Sequence, residues 1–480
     1  MNDLGLQDDT IFTFKTAPAA KNRYLYYPDH LVRVPAPDRK LGILGNINMI
    51  SESLLSEPAF KGILWRAVSE HFRPTRNVNL SDESIGHFFS RRLGSDMVDR
   101  VLSAVIHGIY AGDVYRLSMK TLFPGLWRLE GNEGSLLAGF VQSLAEGPQL
   151  PEREANFAKL MRQTIHMDKD FSKNLSRASV FTFKDGLQQL VDTLAKTLRE
   201  RSNVTFLTNT AVESVKLEND DLQLVLGDAS SGDSKKETVS HSHVISTLSP
   251  KHVQEVVFEP DSPIGTNSGF QIAPAPTVMT VNLYYKSPNL HPPGFGYLIP
   301  LATSSEQNPE RALGVVFDTA YSPTSNLDPD FAGPLQDYVE GRGTKLTVML
   351  GGHYWDGWSA YPSEDEGLAM AKSILRRHLN ITEDPAAYAV NLQSNCIPQY
   401  TVGFEDRLKK VHEQLLDDFS GRVRLAGNWM RGVGVNDCLR SAWEIARELR
   451  DEGKTGLEPM VEKTRWVTIE RVPKKAENSD

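Results

Sequence analysis

Apolar residues recur with two different periods along this chain, and the period changes near residue 204. Ahead of that point the spacing is mainly helical after one hairpin. Residues 23–27 and 31–34 read as strands joined by Pro28 and Asp29, which restrict the backbone or hydrogen-bond it locally. Ser95 is placed to cap a helix in which Val98, Val101, Leu102, Val105, Ile106 and Ile109 repeat at helical spacing. Gly108 interrupts that face, and because glycine costs helix stability, close approach of another group would explain it. Helical patterns follow at 133–145 and 185–200, the second with a stripe of Leu187, Leu190, Val191, Leu194 and Leu198.

Beyond residue 204 the runs are short and strand-like. Residues 204–207, 212–217 and 222–226 are β runs, the last two joined by Glu218, Asn219, Asp220 and Asp221. The polar stretch 227–242 reads as a surface loop and 243–248 as a buried strand. A second β block covers 277–285, 297–299, 312–318 and 346–350 and suits a substrate-side sheet; 303–311 and 322–342 read as surface loops. No repeat is evident. Near the end, 422–426 reads as a strand, 427–434 as a glycine-rich turn, and 436–450 as a helix with Leu439, Trp443, Ile445, Ala446 and Leu449 available for burial. A strand, a tight turn and a helix start opening with Asn436 and Asp437 gather free backbone N–H groups at one spot, which stabilises negative charge. The tail from Asp451 is charged and is expected to be partly disordered.

Composition narrows the function classes. At 480 residues, 40% hydrophobic and 24% charged, the chain is a soluble globular type too long for one core, so two or more domains are expected. Its 52 Lys and Arg against 61 Asp and Glu give a net charge of −9, the wrong sign for phosphate-backbone binding, so no nucleic acid is expected. Cys396 and Cys438 cannot build a disulfide framework or a zinc site, and the 12 His are dispersed and read as structural, so no metal is expected. Cys438 stands near a helix start, where a thiol pKa can fall, although a small packing residue is the plainer reading. No apolar run is long enough to span a bilayer, and the first twenty residues resemble neither a secretory signal nor a basic transit peptide.

Nine strings together carry a family resemblance. LAGNWMRGVGVNDCLRSAWEIA at 425–446 is joined, in order, by NRYLYY from Asn22, RRLG from Arg91, GIYAGDVYRLSM from Gly108, FTFKDGLQQL from Phe181, HVISTL from His243, GFGYLIP from Gly294, LTVMLGG from Leu346 and CIPQYTVG from Cys396. From about residue 4 to residue 449 the chain resembles the protoporphyrinogen IX oxidase family of the monoamine-oxidase-like flavoproteins. The resemblance implies an α/β plus α+β fold: an FAD/NAD(P)-binding, Rossmann-like domain assembled from discontinuous segments, a mixed-sheet substrate domain and a helical domain. The implied segments are 1–50 (substrate-side hairpin and linker), 51–180 (helical, membrane-associating), 181–270 and 401–452 (FAD-binding), 271–400 (mixed sheet) and 453–480 (flexible tail). Such proteins begin with a βαβ unit whose G-x-G-x-x-G turn holds the FAD pyrophosphate. This sequence contains no such string, and Gly432 and Gly434 form only G-x-G. Met1 aligns inside the family's helix downstream of that unit, so the expectation is either a start further upstream or a product with half a cofactor site.

The reaction implied by the resemblance is oxidation of protoporphyrinogen IX, with hydride passing to FAD and dioxygen reoxidising the flavin in successive two-electron rounds. The cofactor carries the chemistry, so no triad or metal is required. Arg23 matches an arginine that grips a substrate propionate; its bland alternative is a surface arginine at a strand start. Gly108 matches a glycine whose carbonyl lies by the reacting methylene bridge; helix packing is the alternative. Phe295, Leu298 and Met349 match the apolar walls around the macrocycle, and would otherwise be ordinary core. Gly434, Val435 and Asn436 match the turn and helix start beneath the flavin pyrimidine, and Val212 a backbone contact on the adenine side. The resemblance further implies peripheral attachment to the mitochondrial inner membrane and, often, a homodimer. Competing readings are another amine-oxidase-like flavoprotein acting on a carotenoid or amine, a non-catalytic tetrapyrrole-binding or partner-binding protein without FAD, and an unstable fragment.

Overall fold

The structure, a computed structural model, describes residues 1–35, 54–165, 167–228, 236–321, 329–334 and 343–468. Its largest sheet has seven strands in the order Ala387–Gln393, Val278–Tyr285, Thr344–Gly351, Ala312–Val316, Gly296–Leu298, Tyr24–Tyr26 and Leu31–Arg33. The expected hairpin therefore forms one edge of the expected substrate-side sheet, joined through a parallel pairing of Tyr24–Tyr26 with Gly296–Leu298.

Strand alternation gives this sheet two unlike faces. Val390, Val281, Val348, Val315 and Tyr297 align on one face, where the helix Glu364–Leu379 covers them with Ala371, Ile374 and Leu375. That helix is well specified locally, by a Ser363–Glu366 capping box and by Asn380 in the left-handed conformation at its end. On the opposite face, Asn391, Thr280, Met349, Gly314, Leu298, Leu25 and Val32 form one row across all seven strands. Leu25 and Val32 are covered by Ala59, Phe60 and Ala104. Thr280, Met349 and Leu298 stay half-buried.

The helical third follows the expected pattern with two corrections. The helix predicted from Ser95 runs as Ser95–Met97, a π-turn Val98–Leu102 and Ser103–Tyr110, but Gly94 and not Ser95 stands at its cap. Gly94 has φ +89°, and an added Cβ would lie 1.7 Å from Arg66 Nη1, so the arginine fills the place of a side chain. The helix predicted at 133–145 starts later, as Leu136–Glu146, and follows a separate helix Pro124–Glu133, because Gly134 turns left-handed and Ser135 caps the second. The RRLG string supplies buried charge pairing here: Arg92 pairs with Glu70, and Arg91 with Glu83 and Glu130.

Thr210–Glu218 and Asp221–Asp228 make the predicted hairpin, with Asn219 and Asp220 at positive φ in its turn. Glu237–His241 adds a third strand within the stretch expected to be loop; residues 229–235 lie outside the described residues. Of the other expected loop, 322–328 and 335–342 also lie outside, while Phe331–Ala332 pairs with Thr10–Phe14.

Val423–Leu425 pairs in parallel with Val244–Ser246, and no further strand joins them among the described residues. The expected strand at 204–207 is accordingly absent, because a strand needs a neighbour for its N–H and C=O groups, and Phe206 and Leu207 are exposed. The buried strand expected at 243–248 shrinks to three residues and leaves Ile245 and Leu248 exposed. The helix Gln188–Arg199 leaves Val191 and Leu198 of its stripe exposed, with Leu187 just ahead. The tail is ordered further than expected: Leu457 is fully buried, Glu458 accepts the Thr455 N–H at 2.6 Å, and Trp466–Thr468 pairs with Gln149–Pro151. Residues 469–480 lie outside the described residues.

Candidate functional site

Two helix ends and one sheet face build the site. The helix Ser103–Tyr110 stops because Ala111 adopts φ +49°, with its N–H donating to the His107 carbonyl at 3.1 Å. The Gly112 N–H then does not reach back, so the Gly108 and Ile109 carbonyls have no donor among the described residues. The Tyr110 carbonyl is taken by Gln399 Nε2 at 2.9 Å. Partial negative charge therefore gathers at this helix end.

The second end has the opposite sign. After Val423–Leu425 the chain turns through Gly427–Gly434 into the helix Val435–Arg447. No side chain caps this helix, and Gly434, Val435 and Asn436 are exposed. The N–H groups of Asp437 and Cys438 bond back to Gly434, while those of Val435 and Asn436 have no partner among the described residues. A Cβ on Gly432 would meet the Asp437 carboxylate at 2.3 Å, so a glycine is needed where that carboxylate folds over the turn. Trp429 anchors the turn from below, its Nε1–H donating to the Leu248 carbonyl at 3.0 Å.

The Cys-Ile-Pro-Gln-Tyr string joins the two ends. Cys396 N–H donates to the Pro276 carbonyl, Gln399 holds the Tyr110 carbonyl, and the Tyr400 hydroxyl donates to the Asn428 carbonyl in the glycine turn. Burial first, and then the Asp437 carboxylate, push the Tyr110 hydroxyl pKa up. The ring of Tyr110 lies 6.4 Å from that of Tyr400, which holds the glycine turn. The sequence marked this string as specific, but its bridging role needed the fold.

The sequence-predicted residues fall into groups. Gly108 lies over Leu298, whose Cδ1 would be 2.8 Å from an added Cβ, so the interruption in the helix face does mark a close approach. Leu298 leads through Gly314 to Met349 along the half-buried row. Arg23 precedes Leu25 by two residues and so shares that face; it is exposed, with no ion pair among the described residues. Phe295 stands outside the row, just ahead of its strand, with its ring 5.4 Å from that of Tyr321. Val212 pairs with Leu226 in the three-stranded sheet and packs into the same core as Leu425 and Trp429. Gly434, Val435 and Asn436 sit at the open helix start.

One expectation changes. Leu439 and Ala446, read as available for burial, are exposed beside Val435, because nothing packs on that side of the helix. Cys438 keeps its plainer reading as a packing residue: burial, and then Asp437, push its thiol pKa up. Two of the dispersed histidines, His107 and His353, meet at 2.9 Å. No group of three or more His, Cys, Asp or Glu suited to a metal ion occurs among the described residues.

The residues present fit the flavin end of FAD. An uncapped helix start with free N–H groups, flanked by the exposed apolar side chains of Val435 and Leu439, suits a ring system that is polar at one edge and apolar on its faces. Nearby, the buried Ser246 hydroxyl has no hydrogen-bond partner. The glycine fingerprint for the pyrophosphate is not in this sequence.

Comparison with known proteins gives the family. Residues 1–450 match the family described as flavin containing amine oxidoreductase. A protoporphyrinogen oxidase of Schizosaccharomyces pombe is 32% identical over 94% of this chain and 82% of its own length. A Homo sapiens protoporphyrinogen oxidase is 28% identical over 93% and 82%. Among solved structures, one provisionally assigned as a protoporphyrinogen oxidase from Exiguobacterium superposes with a TM-score of 0.63 at 18% identity, covering 93% of this chain and 83% of that one, which speaks to the fold alone.

Proposed function

The chain belongs to the flavin containing amine oxidoreductase family, and from that premise we propose that it catalyses FAD-dependent oxidation of protoporphyrinogen IX to protoporphyrin IX. The observation that carries this reading is the pairing of an open carbonyl end over an apolar row with an open N–H end beside it. Bound FAD supplies the hydride acceptor. Removing hydride from a methylene bridge leaves positive charge on the macrocycle, and the free carbonyl of Gly108 lies where it stabilises that charge and the pyrrole N–H groups. The free N–H groups of Val435 and Asn436 favour the negative charge that builds on the acceptor side. Leu298 and Met349 offer a flat apolar floor, and Arg23 at its edge grips a propionate by two charge-assisted hydrogen bonds. Val212 contacts the adenine side and Phe295 borders the macrocycle in this proposal. A tetrapyrrole binder without flavin fits less well, since the uncapped helix start would then hold nothing.

The finer features are also proposals. Dioxygen serves as the terminal acceptor. Residues 51–180 form the membrane-facing part, and 181–270 with 401–452 the flavin part. Peripheral attachment, at the mitochondrial inner membrane, is supported by an apolar patch: Leu64, Trp65, Val68 and Phe72 stand beside Leu137, Phe140, Val141 and Leu144, with Trp65 76% and Phe72 83% exposed. No helix among the described residues is long and apolar enough to cross a membrane. Vesicle sedimentation that weakens in Trp65→Asp and Phe140→Asp is the expected result, and molar mass in solution tests the homodimer.

The reading as a whole is tested by loading the chain with FAD, desalting it, and adding protoporphyrinogen IX without oxygen. Bound flavin that bleaches with this substrate and not with a simple amine is expected. Bound flavin that bleaches only with the amine would replace it with the amine-oxidase reading.

A further inference from the structure

His107 and His353 are 246 residues apart in sequence, yet their Nε2 atoms lie 2.9 Å from one another. A bond between two imidazoles needs one ring to donate and the other to accept. His107 Nδ1 lies 2.8 Å from the Ile299 carbonyl, which can only accept, so this nitrogen carries a proton. Burial keeps the ring neutral, so His107 Nε2 is a lone pair and the His353 Nε2–H donates into it. The donation runs from His353 through His107 to Ile299, and it requires a neutral His107.

This relay ties the three elements that carry the site. His107 immediately precedes Gly108, Ile299 follows Leu298, and His353 lies just past the strand Thr344–Gly351 that holds Met349. A second tie reinforces it: the His353 N–H donates to the Ala111 carbonyl at 2.8 Å, and Gly352 packs so closely that a Cβ would lie 2.3 Å from that oxygen. The Tyr354 ring packs on both histidines, 4.1 Å from His353 and 5.5 Å from His107. The Gly108 carbonyl has no hydrogen bond of its own, so its position is inherited from its neighbour's anchor.

We propose that the His107–His353 pair is a positioning device that holds the Gly108 carbonyl at a fixed height over the Leu298–Gly314–Met349 row, and so sets the rate of hydride removal. This rests on the oxidase reading above. The groups facing the pair are Asp113, Arg116, Arg311, Tyr354 and Asp356. Burial, then Arg116 and Arg311, lower the His353 pKa to about 4. Burial, then His353, do the same for His107, also to about 4. The unfolded rings bind protons near their ordinary value of 6.5, so stability from the pair is present above that pH and is lost as pH falls toward about 4.

The test compares the FAD-loaded chain with His353→Leu and His353→Gln. Glutamine returns an N–H near the place of His353 Nε2–H, and leucine does not. Anaerobic flavin reduction is expected to slow about tenfold in the leucine variant and to recover to within about twofold in the glutamine variant. Affinity for protoporphyrin IX, read by fluorescence quenching, should change less than about twofold in either, because the floor itself is intact. Equal slowing in both variants, or the wild-type rate with leucine, would overturn the proposal. Nitrogen NMR of the histidine-labelled full chain gives a readout independent of turnover. One ring locked as the Nδ1–H tautomer with an Nε2 lone pair surviving well below pH 6.5 is expected; ordinary titration of both rings would overturn the pair. If the NMR signature holds but wild-type flavin is not reduced by protoporphyrinogen IX, the oxidase reading falls, and the rate-setting role with it.

Discussion

In the seven-stranded sheet, Leu346, Val348 and Leu350 are fully buried beneath the helix Glu364–Leu379, and alternate residues form the half-open floor of the site. In the two-stranded parallel pair, Val423 and Leu425 are just as buried against the helix Phe404–Phe419, but Ile245 on the partner strand is 44% exposed. Phe206, Leu207, Leu248, Val191, Val435 and Leu439 are exposed as well. Parallel strands are ordinarily covered on both faces. The contrast teaches that both regions carry a core, but the parallel pair and the helix start beside it also present apolar surface and free N–H groups, which the proposed function assigns to flavin binding.

Several substitutions would break or sharpen this contrast. The largest effect is expected from Leu346→Ala in the closed sheet, which should cost about 3 kcal/mol in denaturant unfolding by leaving a cavity. A loss under about 1 kcal/mol would mean that this core is not the rigid half. Gly108→Val puts a branched side chain against the flexible tip of Leu298 and between the carbonyl end and its substrate. Flavin reduction should slow about 100-fold, with little change in melting temperature. Arg23→Ala should raise KM about tenfold and leave kcat and stability unaltered, because Arg23 is exposed and has no ion pair among the described residues. A fall in kcat alone would assign Arg23 elsewhere. The smallest effect is expected from Ile245→Thr on the open strand, within about 0.5 kcal/mol in the absence of FAD.

The same contrast explains what could be read from the sequence. Period-two alternation located Val278–Tyr285, Thr344–Gly351 and the hairpin well, since their strands have neighbours on both sides or a covered face. It failed at 204–207, where an apolar run of the right length has no strand to pair with. The glycine turn and its helix were legible because a strand, Gly432, Gly434 and a helix start can be arranged in few ways. The joining of Gly108 to Leu298 and of Gln399 to Tyr110 was not, since each spans long stretches of chain and depends on how the helix Ser103–Tyr110 lies across the sheet. The His107–His353 pair gave no sequence signal at all: single histidines 246 residues apart carry no spacing to read.

The most direct test of the account is amide hydrogen exchange of the full chain with and without FAD. The account predicts faster exchange at 187–207 and 244–248 than at 278–285 and 344–351 before addition, and protection gained at 432–439 and 244–248 on binding. Protection gained only in the seven-stranded sheet, with residues 432–439 unchanged while flavin is bound, would contradict it.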